Sequence, residues 1–243
     1  MFEVRPVGET GSTNDDAAKL LGEPDSAGLV LAADYQSAGH GRRARSWVAP
    51  RGAALLFTAI LPETLPARAL WALPFWTALG VADGIERTTG LRVTLQWPND
   101  LLLEGRKCCG ILCISRVAGS EAWAGCGVGI NVARPADDPE LARIEPPPAF
   151  LSDFALDVPR ERLLAEILSA FERRWPELAD PAAVARAWEE RAGLAGTPYR
   201  ILIDGSTEPI EAVALRLDED GALVVAEGHA IRSIALGDAR VMR

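Results

Sequence analysis

Hydrophobic and polar residues follow two periods along the first 194 residues, and each period predicts its own elements. Strands are predicted where short runs are apolar or alternate with polar residues, and helices where apolar residues recur every three to four positions. The predicted strands are 3–8, 28–33, 53–61, 91–95, 101–103, 107–117 and 121–132. The predicted helices are a short one that is capped near Ser12 and ends at Gly22, one over 67–88 that bends at Pro74, and two over 159–178 and 181–193.

Hairpins, rather than crossover helices, connect most of the predicted strands. Glu104-Gly105-Arg106, for example, separates two apolar strands as a tight turn does. Residues 195–243 contain only short strands, with turns at Asp204-Gly205 and Asp220-Gly221. We therefore expect an α+β fold: a domain of residues 1–194 with helices and a mixed, largely antiparallel sheet, followed by a small all-β domain of residues 195–243.

The composition is that of a folded, acidic protein. Hydrophobic residues make up 49% of the 243 residues, which excludes a wholly disordered chain. The formal net charge of −9 argues against a general nucleic-acid binder, because such proteins need a basic surface to displace counterions. The N-terminus lacks an apolar signal core, and the longest weakly polar run, 69–82, is shorter than the roughly 20 residues of a bilayer span. We expect a soluble, cytoplasmic protein with no DNA or membrane partner.

All four cysteines lie in one apolar stretch of the sequence. We expect them to be reduced, because two of them are adjacent and do not easily pair, and because buried thiols are typical of cytosolic proteins. A zinc site is not expected, since there is no Cys-x-x-Cys spacing and the chain has only two histidines. The cysteines are Cys108, Cys109, Cys113 and Cys126.

A loop rich in glycine and arginine, residues 36–51, is the first candidate site. Gly39, Gly41 and Ala44 match the dinucleotide-binding pattern Gly-x-Gly-x-x-Ala, but the residues that follow do not form the helix that this pattern requires. Glycines let backbone N–H groups converge and arginines bind phosphate, so the loop predicts an anion site at which Trp47 could stack on a base. A solvated surface loop is the alternative. The arginines are Arg42, Arg43 and Arg45.

The second candidate site is the turn Trp97-Pro98-Asn99-Asp100 together with Lys107. Only two of the 25 basic residues are lysines, so Lys107 either does what arginine cannot or is retained by codon bias. Antiparallel pairing across the predicted hairpin would bring Lys107 close to Asp100. Such a carboxylate–ammonium pair could bind a metal–phosphate and a substrate carboxylate. The alternative is a well-made turn without a ligand.

Five segments of the sequence resemble, in order and spacing, the successive motifs of biotin–protein ligases. The resemblance is strong over residues 5–135, and the β tail is similar to the C-terminal domain of that family. Because the first motif begins at Gly11, we expect the form that lacks an N-terminal DNA-binding domain. The segments are Gly11-Ser12-Thr13-Asn14, Gln36 to Trp47, Trp97-Pro98-Asn99-Asp100-Leu101, Lys107 with Gly110-Ile111, and Gly127-Val128-Gly129-Ile130-Asn131.

The resemblance implies an enzyme that activates biotin with ATP to biotinyl-5′-adenylate and transfers biotin to a lysine of a biotin carboxyl carrier protein. Mg²⁺ would bridge the ATP phosphates. It further implies a class II synthetase-like catalytic domain and an SH3-like C-terminal domain, in a monomer or a homodimer.

The resemblance also assigns residues to roles, which we treat as expectations. Arg42, Lys107 and Asp100 would be catalytic, with Asp100 orienting or deprotonating the incoming lysine amine. The biotin-binding residues would be Ser12, Thr13, Gln36, Gly39, His40 and Gly110. The nucleotide-binding residues would be Arg42, Arg45, Trp47, Asn131 and Arg243.

Three positions depart from the family pattern. His40 replaces the first arginine of the usual Gly-Arg-Gly-Arg-Arg-Gly-Arg loop, Ala44 replaces its third glycine, and Gln96 replaces the lysine before Trp-Pro-Asn-Asp. Two cations are therefore missing around the site. Two alternatives stay open: a lipoate or octanoate ligase or transferase of the same fold, and a biotin- or adenylate-binding homologue with impaired turnover.

Overall fold

The structure, a computed structural model, describes residues 1–136, 138–139, 141–154, 157–237 and 239–242. The strands are β1 Glu3–Thr10, β2 Leu29–Gln36, β3 Ala54–Ile60, β4 Leu65–Pro66, β5 Thr94–Gln96, β6 Asp100–Leu103, β7 Arg106–Ala118, β8 Glu121–Asn131, β9 Pro198–Ile203, β10 Ile210–Leu217, β11 Leu223–Glu227, β12 Ala230–Ile234 and β13 Ala239–Met242. The α-helices are α1 Thr13–Leu20, α2 Leu73–Thr89, α3 Arg160–Arg174 and α4 Pro181–Ala192. Short 3₁₀ helices are Pro24–Ser26, Arg42–Ala44, Ala67–Ala72, Leu141–Arg143, Leu151–Phe154 and Trp175–Ala179.

The larger sheet is mostly antiparallel. Within the described ranges it has eight strands in the order β1-β2-β3-β8-β7-β6-β5, with β4 paired to β8 at one end. Among the described strands of this sheet only β1 and β2 run parallel, and α1 crosses between them. The remaining pairs are antiparallel; β5–β6, β6–β7 and β7–β8 are hairpins, whereas β3 and β4 pair with β8 from far away in the chain. The expected α+β class with a largely antiparallel sheet is therefore confirmed.

Packing of α2 against α3 closes one face of this sheet. Gly80 and Gly84 lie one turn apart on α2, and a methyl group at either position would lie 2.4 Å from a side-chain carbon of α3. The contacted side chains are Phe171 and Ile167. Glycine at these two positions therefore allows the helices to approach closely, despite its low helix propensity. Beside this contact, Trp76 stacks on Phe171 with 4.7 Å between ring centroids.

The second sheet is built from the C-terminal residues. Its described strands follow the order β12-β11-β10-β9-β13, all antiparallel. Its buried residues, including Tyr199, Ile201 and Leu223, belong to the same contiguous hydrophobic cluster as α2 and the larger sheet. Gly221 is pressed against this cluster, since a methyl group there would lie 2.7 Å from Trp71. The expected C-terminal β unit is present, and the division at residue 194 stays a prediction.

Several predicted bounds differ from the observed ones by a few residues, and two of the larger differences involve proline. Residues 67–72 form a 3₁₀ helix, and α2 begins at Leu73 with Pro74 in its first turn, where a missing N–H costs nothing. The helix predicted over 159–178 ends at Arg174 and continues as a 3₁₀ turn that contains Pro176. The strand predicted over 91–95 is shorter and later, at Thr94–Gln96.

None of the helices in the described part of the chain is both long and apolar enough to cross a membrane. All four cysteines are free thiols. Burial raises the pKa of the Cys109 thiol well above its ordinary value, so this sulfur stays protonated and packs as a small apolar group.

Candidate active site

A cavity of about 310 Å³ lies between α1, the loop that follows β2, and the β6–β8 part of the sheet. It gathers eleven of the thirteen predicted site residues. Gly39 lies behind its wall, where its carbonyl accepts a hydrogen bond from Trp47 N–H at 2.8 Å. Arg243 lies outside the described residues. The eleven are Ser12, Thr13, Gln36, His40, Arg42, Arg45, Trp47, Asp100, Lys107, Gly110 and Asn131.

Glycines of β7 and β8 form the floor of the cavity. Gly110 and Gly129 are cross-strand partners, and the indole of Trp47 lies on both of them. A methyl group at Gly129 would be 2.6 Å from Trp47 Cε2, and one at Gly110 would be 2.8 Å from Cζ3. Any larger residue would therefore displace the ring. Among the described residues, the buried Trp47 Nε1 has no hydrogen-bond partner, so it can donate to a ligand.

Buried polar side chains line one end of the floor. Gln36 Oε1 accepts hydrogen bonds from the N–H and the hydroxyl of Thr13, at 2.8 and 2.9 Å. Thr58 Oγ1 lies 2.8 Å from Thr13 Oγ1 and 2.7 Å from Asn14 Oδ1. Asn14 in turn donates to the carbonyl of Leu112 at 2.9 Å. This network fixes the polar groups before a ligand arrives, because each one is oriented by another.

Asn14 and Thr58 were not among the predicted site residues. Asn14 stood inside a recognised motif without a role, and Thr58 is the one hydroxyl in the apolar strand β3. A hydroxyl in an otherwise apolar strand was the sequence signal that could have identified Thr58. Asn14 matters because it lies over Gly127 of β8, where its Oδ1 is 2.1 Å from the position that a Cβ would take. Thr58 matters because it holds Asn14 there.

Cationic side chains lie at the other end, beyond Trp47. The β6–β7 hairpin pairs Leu102 with Lys107 and Asp100 with Gly110, with a register shift between them. Lys107 Nζ lies 2.7 Å from Asp100 Oδ1, so the expected ion pair across this hairpin is present. The ammonium also lies 5.4 Å from the ring centroid of Trp47, within cation–π distance.

The arginine loop divides its cations between the cavity and the protein surface. Arg42 points inward, with Nη1 3.5 Å from Asn99 Oδ1. Burial lowers the pKa of the Arg42 guanidinium, neighbouring Arg43 lowers it further, and Asp100 acts in the opposite direction. A partly desolvated cation of this kind is stabilised by a bound anion. His40, the departure from the family pattern, is directed at α1, where its Nε2 lies 2.9 Å from Asp15 Oδ2.

Side-chain amides hold the backbone around this cationic end. Asn131 Nδ2 donates to the carbonyls of Ala149 at 3.0 Å and Lys107 at 3.4 Å. Asn99 Nδ2 donates to the backbone carbonyl of Ile111 at 2.6 Å, and the backbone carbonyl of Asn99 accepts a hydrogen bond from the Ile111 N–H. Asn99 belonged to the predicted Trp-Pro-Asn-Asp motif without a role of its own, and the structure adds this anchoring contact.

Comparison with known proteins identifies the fold and its family. The sequence profile described as Biotin/lipoate A/B protein ligase family matches residues 9–131, about half of the chain. The chain belongs to this family. A biotin–[acetyl-CoA-carboxylase] ligase of Paracoccus denitrificans is 33% identical over 229 residues, which cover 90% of this chain and 92% of that protein. The Mycobacterium tuberculosis protein of the same name is 30% identical over 241 residues, covering 96% and 86%.

The fold of this biotin/lipoate ligase family member is shared with solved structures. The biotin protein ligase from Aquifex aeolicus, in complex with biotin and ATP, superposes over the whole of both chains with a TM-score of 0.79 and 22% identity. At that identity the likeness supports the fold. The family indicated by the sequence motifs is thus confirmed, while the roles of individual residues stay predictions.

Proposed function

We propose that this protein is an ATP-dependent biotin–protein ligase. It would form biotinyl-5′-adenylate from biotin and ATP, and then transfer the biotinyl group to a lysine of a biotin carboxyl carrier protein. The relatives from Paracoccus denitrificans and Mycobacterium tuberculosis are named biotin–[acetyl-CoA-carboxylase] ligases, and both match nearly the whole chain.

One observation carries the proposal: a single cavity joins a buried polar end to a cationic end across a floor of glycines and Trp47. Biotin has the same sequence of groups, a ureido ring, an apolar middle and a carboxylate. A ureido ring can make further hydrogen bonds to the polar side chains at this end, such as Thr13 and Asn14, whereas the methylene groups of a linear acyl chain cannot. The cavity therefore favours biotin over lipoate or octanoate.

The cationic end suits the adenylation step. A carboxylate oxygen of biotin forms a bond to the α-phosphorus of ATP, and the bond from that phosphorus to pyrophosphate breaks. Both reactants are anions, so Arg42 and Lys107 would offset their repulsion and stabilise the charge on the pentavalent phosphorus. The ion pair with Asp100 holds the Lys107 ammonium at the place where this charge develops.

Asp100 would act again in the transfer step. There the lysine amine of the carrier forms a bond to the acyl carbon, AMP leaves, and the amine loses a proton. A carboxylate at the cavity wall can orient that amine and accept its proton. Asn131 would support the nucleotide side indirectly, since it holds the backbone of Lys107 and Ala149.

Mg²⁺ is proposed to enter with ATP. The part of the chain that the structure describes contains no cluster of three or more His, Cys, Asp or Glu side chains that could hold a metal ion. This fits magnesium in nucleotide sites, which takes most of its ligands from phosphate oxygens and water and one or two from carboxylates. Asp100, at the cationic end, would supply the carboxylate, and the ion would neutralise phosphate charge.

We further propose that residues 1–194 carry this chemistry and that residues 195–243 form a unit docked against it. The contact that supports the docking is apolar and includes the hydrogen bond from Trp97 Nε1 to the Gly221 carbonyl, at 3.3 Å. Val241 of β13 also lines the cavity, so the C-terminal unit contributes to its wall.

The direct test is biotin attachment. The purified protein is incubated with ATP, Mg²⁺, biotin and an isolated carrier domain, and the mass of the carrier is followed. We expect a mass increase of one biotinyl group, lost in Lys107→Gln. Lys19→Gln is the matched control, because Lys19 is the only other lysine and its side chain is 73% exposed on α1. A folded protein that forms neither the adenylate nor the product would refute the proposal.

The acid is tested separately by thermal shift. Biotin, lipoate and octanoate are compared at equal concentration, with and without ATP. We expect biotin to raise the melting temperature most. A larger shift with octanoate would instead support the lipoate branch of the family, and a large shift with biotin without pyrophosphate release would support a binding protein that has lost turnover.

A further inference from the structure

Arg43 connects the arginine loop to the C-terminal sheet. Its Nη1 and Nη2 donate to the two carboxylate oxygens of Asp204, at 2.5 and 2.7 Å, and Nη2 also donates to the Gly237 carbonyl at 2.5 Å. A bidentate arginine–carboxylate pair with a third acceptor has a defined geometry, unlike a single surface ion pair. The Arg43 side chain is 24% exposed although it lies at the protein surface.

The backbone of the loop turns Arg43 away from its neighbour. Arg43 has φ 60° and ψ 45°, the left-handed region that residues other than glycine rarely adopt. Because of this turn, Arg42 points to Asn99 in the cavity while Arg43 points to Asp204 outside it. The same residue therefore carries both the bend and the contact that holds the bend in place.

The two acceptors meet because of the register of the second sheet. Asp204 follows directly after β9, and Gly237 lies two residues before β13. Ile203 and Ala239 are cross-strand partners in these strands, so both acceptors lie at one corner of the sheet. The same strand β13 places Val241 in the cavity wall. The corner that binds Arg43 thus belongs to the same sheet that contributes Val241 to the cavity wall.

We propose that Asp204 is a positioning residue that holds the arginine loop closed over the cavity through Arg43. By fixing Arg43, it sets the direction of Arg42 and so the place of one cation at the reacting phosphate. We call the contact of Arg43 with Asp204 and Gly237 the clamp. The role of Arg42 rests on the proposed function, whereas the clamp rests on the hydrogen bonds of Arg43. Neither Asp204 nor Gly237, the two residues that accept hydrogen bonds from Arg43, lines the cavity.

The first test measures the loop without ligands or activity. Limited trypsin digestion cuts after the arginines of the loop, and mass spectrometry gives the rate at each site. We expect Asp204→Ala to be cut at Arg42 and Arg45 at least about fivefold faster than wild type. Glu9→Gln is the matched control, because it breaks the Arg51–Glu9 contact that ties the other end of the same loop to β1. Equal rates in Asp204→Ala and wild type overturn the inference.

The second test separates positioning from general stability. For Asp204→Ala we expect the release of preformed biotinyl-adenylate to be at least tenfold faster and the KM for ATP higher, with a melting temperature close to that of Glu9→Gln. In a double-mutant cycle with Arg43→Ala, the two changes should not add, since both break the same contact. Additive effects, or release at the wild-type rate, contradict the clamp.

The two proposals fail in different ways. If the protein forms no adenylate but Asp204→Ala still exposes the loop, the clamp stands and the ligase assignment fails. If the protein is an active ligase and Asp204→Ala neither exposes the loop nor speeds release of the adenylate, the clamp fails and the assignment stands.

Discussion

Replacing Gly127 by alanine tests whether the polar end of the cavity depends on a close backbone approach. The added methyl carbon would lie 2.1 Å from Asn14 Oδ1 and 2.7 Å from its Cγ. Nonbonded heavy atoms prefer separations of about 3.5 Å, so the amide must move by more than about 1 Å. Both hydrogen-bond partners of Asn14 are fixed, because one is the backbone carbonyl of Leu112 and the other is the side chain of Thr58 on the central strand β3.

The structure sets the size of the effect. A shift of that size breaks the hydrogen bond from Asn14 to Leu112 and the one with Thr58, which are 2.9 and 2.7 Å long. A buried polar group left unpaired costs about 1–3 kcal/mol. We expect a loss of about 2–4 kcal/mol in the free energy of unfolding, since part of the strain relaxes. For a chain of this size that lowers the melting temperature by roughly 5–15 °C.

The assay combines urea unfolding with calorimetric titration of biotin. Gly125→Ala is the matched control: it lies two residues away on the same strand and face, but its nearest contact would be an Ile114 side-chain carbon at 3.2 Å, against 2.1 Å for the contact at Gly127. We expect Gly125→Ala to unfold close to wild type and to bind biotin, and Gly127→Ala to lose stability and at least about tenfold in affinity. Wild-type stability and affinity in Gly127→Ala would refute the role given to Asn14.

Three further predictions concern the reaction and the packing. The Lys107→Arg variant should keep the wild-type melting temperature but release pyrophosphate about 100-fold more slowly. The reason is that a guanidinium cannot occupy the place of the ammonium between Asp100 and Gly110. Near-normal turnover would contradict the role of Lys107 in adenylation. Gly84→Ala should lower the free energy of unfolding in urea by about 1–3 kcal/mol through overpacking against α3, and an unchanged midpoint would contradict the helix contact. The hydrogen bond from Arg134 holds the pKa of the Asp153 carboxyl below its ordinary value of about 3.9. The ionised carboxylate therefore stabilises the fold above about pH 4, and this stabilisation is lost as the pH falls through the lowered pKa. Asp153→Asn should therefore lower the melting temperature more at pH 7 than at pH 3, and an equal loss at both would contradict this linkage.

Much of the fold followed from local patterns in the chain. Hairpin signals such as Glu104-Gly105-Arg106 placed neighbouring strands side by side, because a two-residue turn leaves the chain no other partner. The predicted bounds differed from the observed ones mainly beside Pro74 and Pro176, where the ring ends or begins an α-helix according to its position in the turn.

The sequence by itself determined the family, the order of elements and most of the residues that meet at the cavity. Motifs carry this information because each keeps its own residues in a fixed local arrangement. The tertiary structure decided what those residues touch: Asn14 over Gly127, Trp47 over Gly129, and Arg43 on Asp204. These contacts join segments far apart in the chain, so their distances depend on how sheets and helices pack, which no local pattern specifies.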